Sequence, residues 1–241
     1  AVADGVFKTN PARAMKAQPK KRVKSGAGAT PIDPDALPAV LKAIIESEKC
    51  RKKDLTDPML MHLATGLRVS EILGFLWTEF DPEAKTIATS GRIVWAKGQG
   101  LLRTPTFDSS KATAPLLHLP QFAVEMLVAR AKEERLNHHG VIFPSGVGTF
   151  RDPSGFSRQW REVRAELGSE LDKSTGHSFR KTLGNLVTDH TSDPRVAADI
   201  LGHSDIQTTL RHYLKRGKAH PEVATLLDDA VRGKHVVTKN P

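Results

Sequence analysis

The chain has 241 residues, of which 39% are hydrophobic and 26% charged, the balance of a protein that buries a real core in one large domain or in one domain plus an appendage. Thirty-six Lys and Arg against 27 Asp and Glu leave a net charge of +9, which points to a polyanionic partner, nucleic acid first and an anionic membrane surface second. A single Cys excludes an intrachain disulfide framework and fits a reducing compartment, and no apolar run approaches membrane-spanning length.

Residues 1–15 read as the tail of a helix stopped at Asn10-Pro11, without a start signal of its own. The expectation is therefore a chain that begins inside a longer protein. Residues 16–32 are basic and then Gly/Ala-rich, with no apolar periodicity, which predicts a linker. Its Lys16, Lys20, Lys21, Arg22 and Lys24 either track phosphates, favourable through counterion release, or are simply solvated.

The packed domain starts near Asp33. Helical spacing predicts helices over residues 35–48 and 54–66, the second closed by Gly66 in the left-handed conformation. A further helix opens near Ser70 and runs to about Trp77, so that Arg68 stands at a tight helix–helix junction. Residues 86–119 change period to short β-prone runs separated by Gly and polar residues, a small antiparallel sheet with Lys111 in its last connection. A helix over residues 120–136 with Pro120 at its start follows, then a brief extended piece at Val141-Ile142-Phe143. A helix over residues 156–168 carries Arg158, Arg161 and Arg164 three apart, a basic stripe suited equally to a DNA backbone or to solvent.

The next stretch is the most informative. His177 to about His190 should be helical, which puts His177 and Arg180 on one face. A short helix over residues 194–201 is closed by Gly202, and Ser204 with Gln207 has the form of a capping box opening the helix that carries Tyr213, the one Tyr of the sequence. His203 is thereby held between a C-cap glycine and an N-cap serine. A last helix covers residues 221–231, followed by a polar tail over residues 234–241. The fold class that results is mainly α with a small antiparallel sheet, without an internal repeat.

These residue types suit chemistry on a phosphodiester. Attack on phosphorus builds negative charge on the non-bridging oxygens, which metal ions or fixed cations must stabilise. The sequence offers no acidic cluster and no His/Cys spacing for a metal near the box, and neither a metal nor another cofactor is expected. Arg68 and Arg180 are the candidate cations, since a guanidinium binds phosphate oxygens in a fork and keeps its charge at any working pH. Tyr213 is the candidate nucleophile, and His177 titrates in the range needed to take its proton. Lys111 is the donor left for the leaving oxygen, and His203 can donate a hydrogen bond to a phosphate oxygen.

Four boxes in order, Thr65-Gly66-Leu67-Arg68-Val69-Ser70-Glu71, His177-Ser178-Phe179-Arg180, Leu201-Gly202-His203 and Thr208-Thr209-Leu210-Arg211-His212-Tyr213, resemble the active-site motifs of the tyrosine recombinases (phage integrase family). One position departs from that pattern: counting back from Leu119-Pro120 puts Ser109 where the family's hairpin lysine is expected, with Lys111 two residues later. The resemblance implies a tyrosine recombinase catalytic domain over residues 33–215, preceded by the end of a core-binding domain over residues 1–15 and followed, over residues 216–241, by a helix and tail that could contact a neighbouring copy. It implies site-specific cutting and rejoining of double-stranded DNA at attachment-type sites through a 3′-phosphotyrosyl link, in the service of a phage or mobile-element genome. The protein would be a monomer alone and a tetramer on DNA, would pass through a Holliday junction, could be aided by a DNA-bending protein, and would work in a bacterial cytoplasm at the nucleoid. A type IB topoisomerase and a non-catalytic DNA-binding protein of the same fold are the alternatives.

Overall fold

The computed structural model describes residues 29–106, 116–191, 196 and 221–233. A 3₁₀ turn at Pro34–Ala36, capped by the Asp33 carboxylate, leads into α1 (Leu37–Glu46). Residues 35–48 are thus not one helix. The chain turns at Ser47, whose hydroxyl accepts the Cys50 N–H at 3.2 Å and opens α2 (Glu48–Lys52).

The centre of the domain is α3 (Thr56–Thr65), in which every residue from Pro58 to Thr65 is buried. It packs on α1, α4 (Val69–Ile72), α5 (Gln121–Arg130) and α7 (Gly176–Thr191). A helix buried all round is a core helix, and the Met, Leu and Ala residues of α3 are what allow it. The helix expected to reach Trp77 stops at Ile72. Residues after it are drawn into pairing with a distant extended segment: Ile142 N–H donates to the Phe75 carbonyl (2.8 Å), Trp77 N–H to the Gly140 carbonyl (3.0 Å), and Leu76 bridges Val141. The extended piece expected at 141–143 is the other half of that pairing.

Two antiparallel sheets form where one was expected. β1 (Phe80–Asp81), β2 (Thr86–Ala88) and β5 (Leu116–His118) make one, in the order β1-β2-β5. β3 (Gly91–Ala96) and β4 (Gly100–Pro105) make a separate two-stranded hairpin, in register from Gly91↔Pro105 to Ala96↔Gly100. The hairpin is tied to the body by Arg103, which donates to the Gly74 carbonyl, to Glu79 and to Ser90, each at 2.6 Å.

α5 ends at Arg130, six residues short of the expected end, because the run that follows it (Lys132 to Arg135) has no apolar face to bury. Arg130 itself turns inward, 2% exposed, and donates to Asp54, Asp57 and the Ile142 carbonyl at 2.7 to 2.8 Å. α6 (Pro153–Arg164) starts three residues earlier than expected, on the Asp152 carboxylate, which accepts the Ser154 and Gly155 N–H groups at 3.0 Å. The last helix, α8 (Pro221–Val231), packs on α1, α5 and α7 of its own chain through Val223, Leu226, Leu227 and Ala230. Its Asp228 carboxylate accepts the Gln121 and Phe122 N–H groups at the start of α5. Among the described residues no helix is long and apolar enough to cross a membrane.

Candidate active site

Three of the six candidate catalytic residues lie among the described residues, and the fold brings them together. Arg68 stands at the start of α4 in extended conformation (φ −74°, ψ 152°). Gly66, at the end of α3, takes φ 64°, which reverses the chain without the strain a side chain would add there. The reversal is sealed by Gly66 N–H donating to the His62 carbonyl at 2.9 Å. The Arg68 N–H in turn donates to the Glu71 carboxylate at 2.8 Å, and the Arg68 guanidinium meets the other Glu71 oxygen at 3.3 Å. Glu71 rather than Ser70 is therefore the residue that closes this helix start. Arg68 remains 63% exposed at its side chain, aimed at solvent.

His177 and Arg180 sit three residues apart on the first turns of α7. The helix is held by a buried stripe of Phe179, Leu183, Leu186 and Val187. Its entry is fixed by α6: Trp160 packs edge-on to Phe179 (6.2 Å, 71°) and donates its indole N–H to the Ser174 carbonyl at 3.2 Å, a carbonyl that also accepts from Arg164. Ser178, fully buried, accepts the Thr175 N–H at 3.1 Å. Thr182 accepts the Ile32 N–H at 2.8 Å and so ties the entry of the domain to the same helix.

Arg180 is 3% exposed, and its guanidinium donates to the Gly66 carbonyl at 2.5 Å. That bond joins α7 to the turn that carries Arg68, 114 residues apart in sequence. Burial first, and then the charge of Arg68, pull Arg180 below the ordinary guanidinium range, while Glu71 opposes them. The two guanidinium groups thus lie within electrostatic reach of each other. His177 is exposed, and its imidazole is pushed below its ordinary value by partial burial and then by Arg180, Lys181 and Arg68. The shift favours the neutral imidazole, the form that can accept a proton.

Lys111, His203 and Tyr213 lie outside the described residues, as do Lys16, Lys20, Lys21, Arg22 and Lys24. Arg158 and Arg161 are exposed on α6, where their charges act on Glu162. Arg164, the third residue of the expected stripe, is half-buried and turned toward Ser174.

Sequence reading passed over His62. It lies in the apolar run Leu60-Met61-His62-Leu63, where nothing marks it apart from its place four residues before the Gly66 cap. It is 2% exposed, and its Nδ1 is 3.0 Å from the Leu67 carbonyl. A carbonyl only accepts, so Nδ1 carries the proton. Burial, countered by the Leu67 carbonyl and reinforced by the Arg180 charge, pulls its pKa down to about 4.

The chain thus has an α-helical core with small antiparallel sheets, in which the buried Arg180 guanidinium is bonded to the turn that carries the exposed Arg68. Solved structures share the fold: the Tn1549 transposon integrase in complex with a circular intermediate DNA (TM-score 0.61, 18% identity, 89% of this chain and 70% of that one) and the XerA recombinase (TM-score 0.54, 19% identity, 84% and 62%). The sequence profile of the phage integrase family matches residues 31–220, and the chain belongs to that family. Among curated relatives, the tyrosine recombinase XerD of Shewanella oneidensis is 27% identical over 163 residues, covering 67% of this chain and 48% of the relative. The chain spans about half the length of the first such relatives it matches.

Proposed function

We propose that the protein is a site-specific DNA recombinase that cuts and rejoins strands through a 3′-phosphotyrosyl intermediate, integrating and excising a phage or mobile-element genome. The observation that carries this reading is the Arg68–Arg180 pair. Two like charges held near one another repel, and an oxyanion between them relieves that cost, so the pair favours the doubly charged oxygens of phosphorus under attack over a neutral ligand. An uncharged His177 beside the pair supplies the base.

In this reading Tyr213 attacks phosphorus and forms the Tyr–O–P bond. Its proton passes to His177, the bond from phosphorus to the 5′-oxygen breaks, and that oxygen takes a proton from Lys111. His203 donates a hydrogen bond to a non-bridging oxygen. The covalent link conserves the phosphodiester energy, so rejoining is the same sequence reversed and needs no nucleotide. The residues of the linker, with Arg158 and Arg161, would contact the DNA backbone. Assembly as a tetramer on DNA, the preceding core-binding domain, and a bacterial cytoplasmic setting belong to the same proposal. It is supported by family membership and by a fold shared with an integrase whose structure contains DNA.

The test is a nicked duplex carrying the attachment site, incubated with the protein in EDTA. The expected result is a covalent protein–DNA adduct that survives denaturation. Absence of an adduct on a site the protein binds would contradict the proposal.

A further inference from the structure

We propose that His62 is a positioning residue: its buried imidazole clamps the Gly66–Arg68 turn against the start of α7 and so sets how the Arg68 and Arg180 guanidinium groups face one another. The inference rests on the reading of those two arginines as a phosphate cradle and adds a residue that no active-site motif of the sequence contains.

Three contacts meet on this residue. Its main-chain carbonyl accepts the Gly66 N–H at 2.9 Å, which forms the cap. Its Nδ1–H donates to the Leu67 carbonyl at 3.0 Å. Its ring lies against Gly176, the first residue of α7, so closely that a Cβ built there would stand 2.5 Å from Cε1 and 2.6 Å from Nε2. The Leu67–Arg68 peptide group is therefore held from both ends, with the Leu67 carbonyl on His62 and the Arg68 N–H on Glu71. An amide plane held at its oxygen and at its nitrogen resists rotation, and rotation there would re-aim the Arg68 backbone relative to Arg180. The same ring sets the distance to α7, because Gly176 leaves no side chain to separate the backbone from the imidazole.

The chemistry of the ring fits a clamp and not a proton relay. With the proton on Nδ1, Nε2 is a bare acceptor, and it has no hydrogen-bond partner among the described residues. Burial and the Arg180 charge keep it from taking a second proton, which would place another cation against the pair. Phe156, at 6.4 Å between ring centroids, packs on it from α6.

The experiment uses the full 241-residue chain as wild type, His62→Leu and His62→Asn. An Asn amide can place an N–H close to where Nδ1 stands, whereas Leu fills similar space without a donor. Amide hydrogen exchange followed by NMR reads the clamp. Exchange at the Arg68 amide should rise at least tenfold in His62→Leu and return to within about threefold of wild type in His62→Asn, with the amides of α5 unchanged in both. Titration with inorganic sulfate, followed at the Arg180 Nε–H signal, reads the cradle. Half-saturation should need about five times more sulfate in His62→Leu and less than twice as much in His62→Asn. Should His62→Leu fail to fold, His62→Met, which likewise brings no donor to the Leu67 carbonyl, takes its place. Unchanged Arg68 exchange in the folded donor-less variant, or an Asn variant as loose as it, would overturn the proposal. A wild-type chain that shows no sulfate response at Arg180 would instead contradict the phosphate cradle, and the exchange data would still decide the role of His62.

Discussion

Lowering the pH from 7 to 5 should destabilise the wild-type protein more than a His62→Asn variant, and the structure sets the size of the difference. The folded state holds the His62 pKa at about 4, against 6.5 for the free side chain. A group whose pKa is depressed on folding binds fewer protons in the native state. Its effect is absent above pH 6.5, grows as pH falls from 6.5 toward 4, and is complete below 4. The full displacement corresponds to about 3 kcal/mol, and at pH 5 to about 2 kcal/mol. His62 is buried, so solvent screening does not reduce this as it does for a surface group. The Asn variant has nothing to titrate at that position, and the remaining carboxylates and imidazoles cancel in the comparison. Urea denaturation of both proteins at pH 7 and pH 5, with linear extrapolation, measures the four free energies. The expected double difference is about 2 kcal/mol, wild type losing more. The same pH-dependent loss in both proteins would refute the argument that the core holds this imidazole neutral.

Three further outcomes follow from particular contacts. Gly176→Ala should destabilise by about 1–3 kcal/mol through overpacking against His62, exceeding the roughly 1 kcal/mol that Ala gains over Gly in a helix; in a His62→Ala background the sign should reverse, and a stabilising Gly176→Ala in the wild type would contradict the close contact. Arg130→Met should cost about 3 kcal/mol in urea denaturation, because Asp57 loses its cation while Asp54 keeps only Arg135 and Arg151; a loss under about 1 kcal/mol would show that the cluster is solvated. Arg180→Lys should lower the rate of adduct formation on the nicked duplex by on the order of a hundredfold, since an ammonium cannot hold the Gly66 carbonyl and a phosphate oxygen in one fork; a rate within a few fold of wild type would remove Arg180 from the cradle.

Local chemistry made much of this molecule legible in its sequence. Gly66 was expected as a left-handed cap and takes φ 64°. The last helix was expected over residues 221–231 and runs from Pro221 to Val231. His177 and Arg180 were expected on one helix face, and they stand on α7 with the Arg180 charge acting on the His177 imidazole. What escaped was decided by partners far away in the chain. The helix after Arg68 stops at Ile72 because Phe75, Leu76 and Trp77 pair with residues 140–142, a choice that local propensity does not encode. One sheet became two because Arg103 anchors the β3–β4 hairpin to Gly74, Glu79 and Ser90 instead of letting it continue the sheet of β2. The start of α6 was readable, since Asp152-Pro153 is a cap followed by a first-turn proline, and the apolar spacing that begins at Phe156 masks it. His62 was not readable: a lone His in an apolar helix carries no signal until Leu67, Gly176 and Arg180 are seen around it.

The central claim is that a phenol of this chain becomes joined to the DNA end it cuts. The adduct formed on a nicked duplex in EDTA, digested with trypsin and nuclease, can be mapped by mass spectrometry. One modified peptide is expected, with the nucleotide phosphate on Tyr213 and attached through the 3′ side of the cut, and no adduct from Tyr213→Phe. A phosphate on any other residue, or a link through the 5′ side, would contradict it.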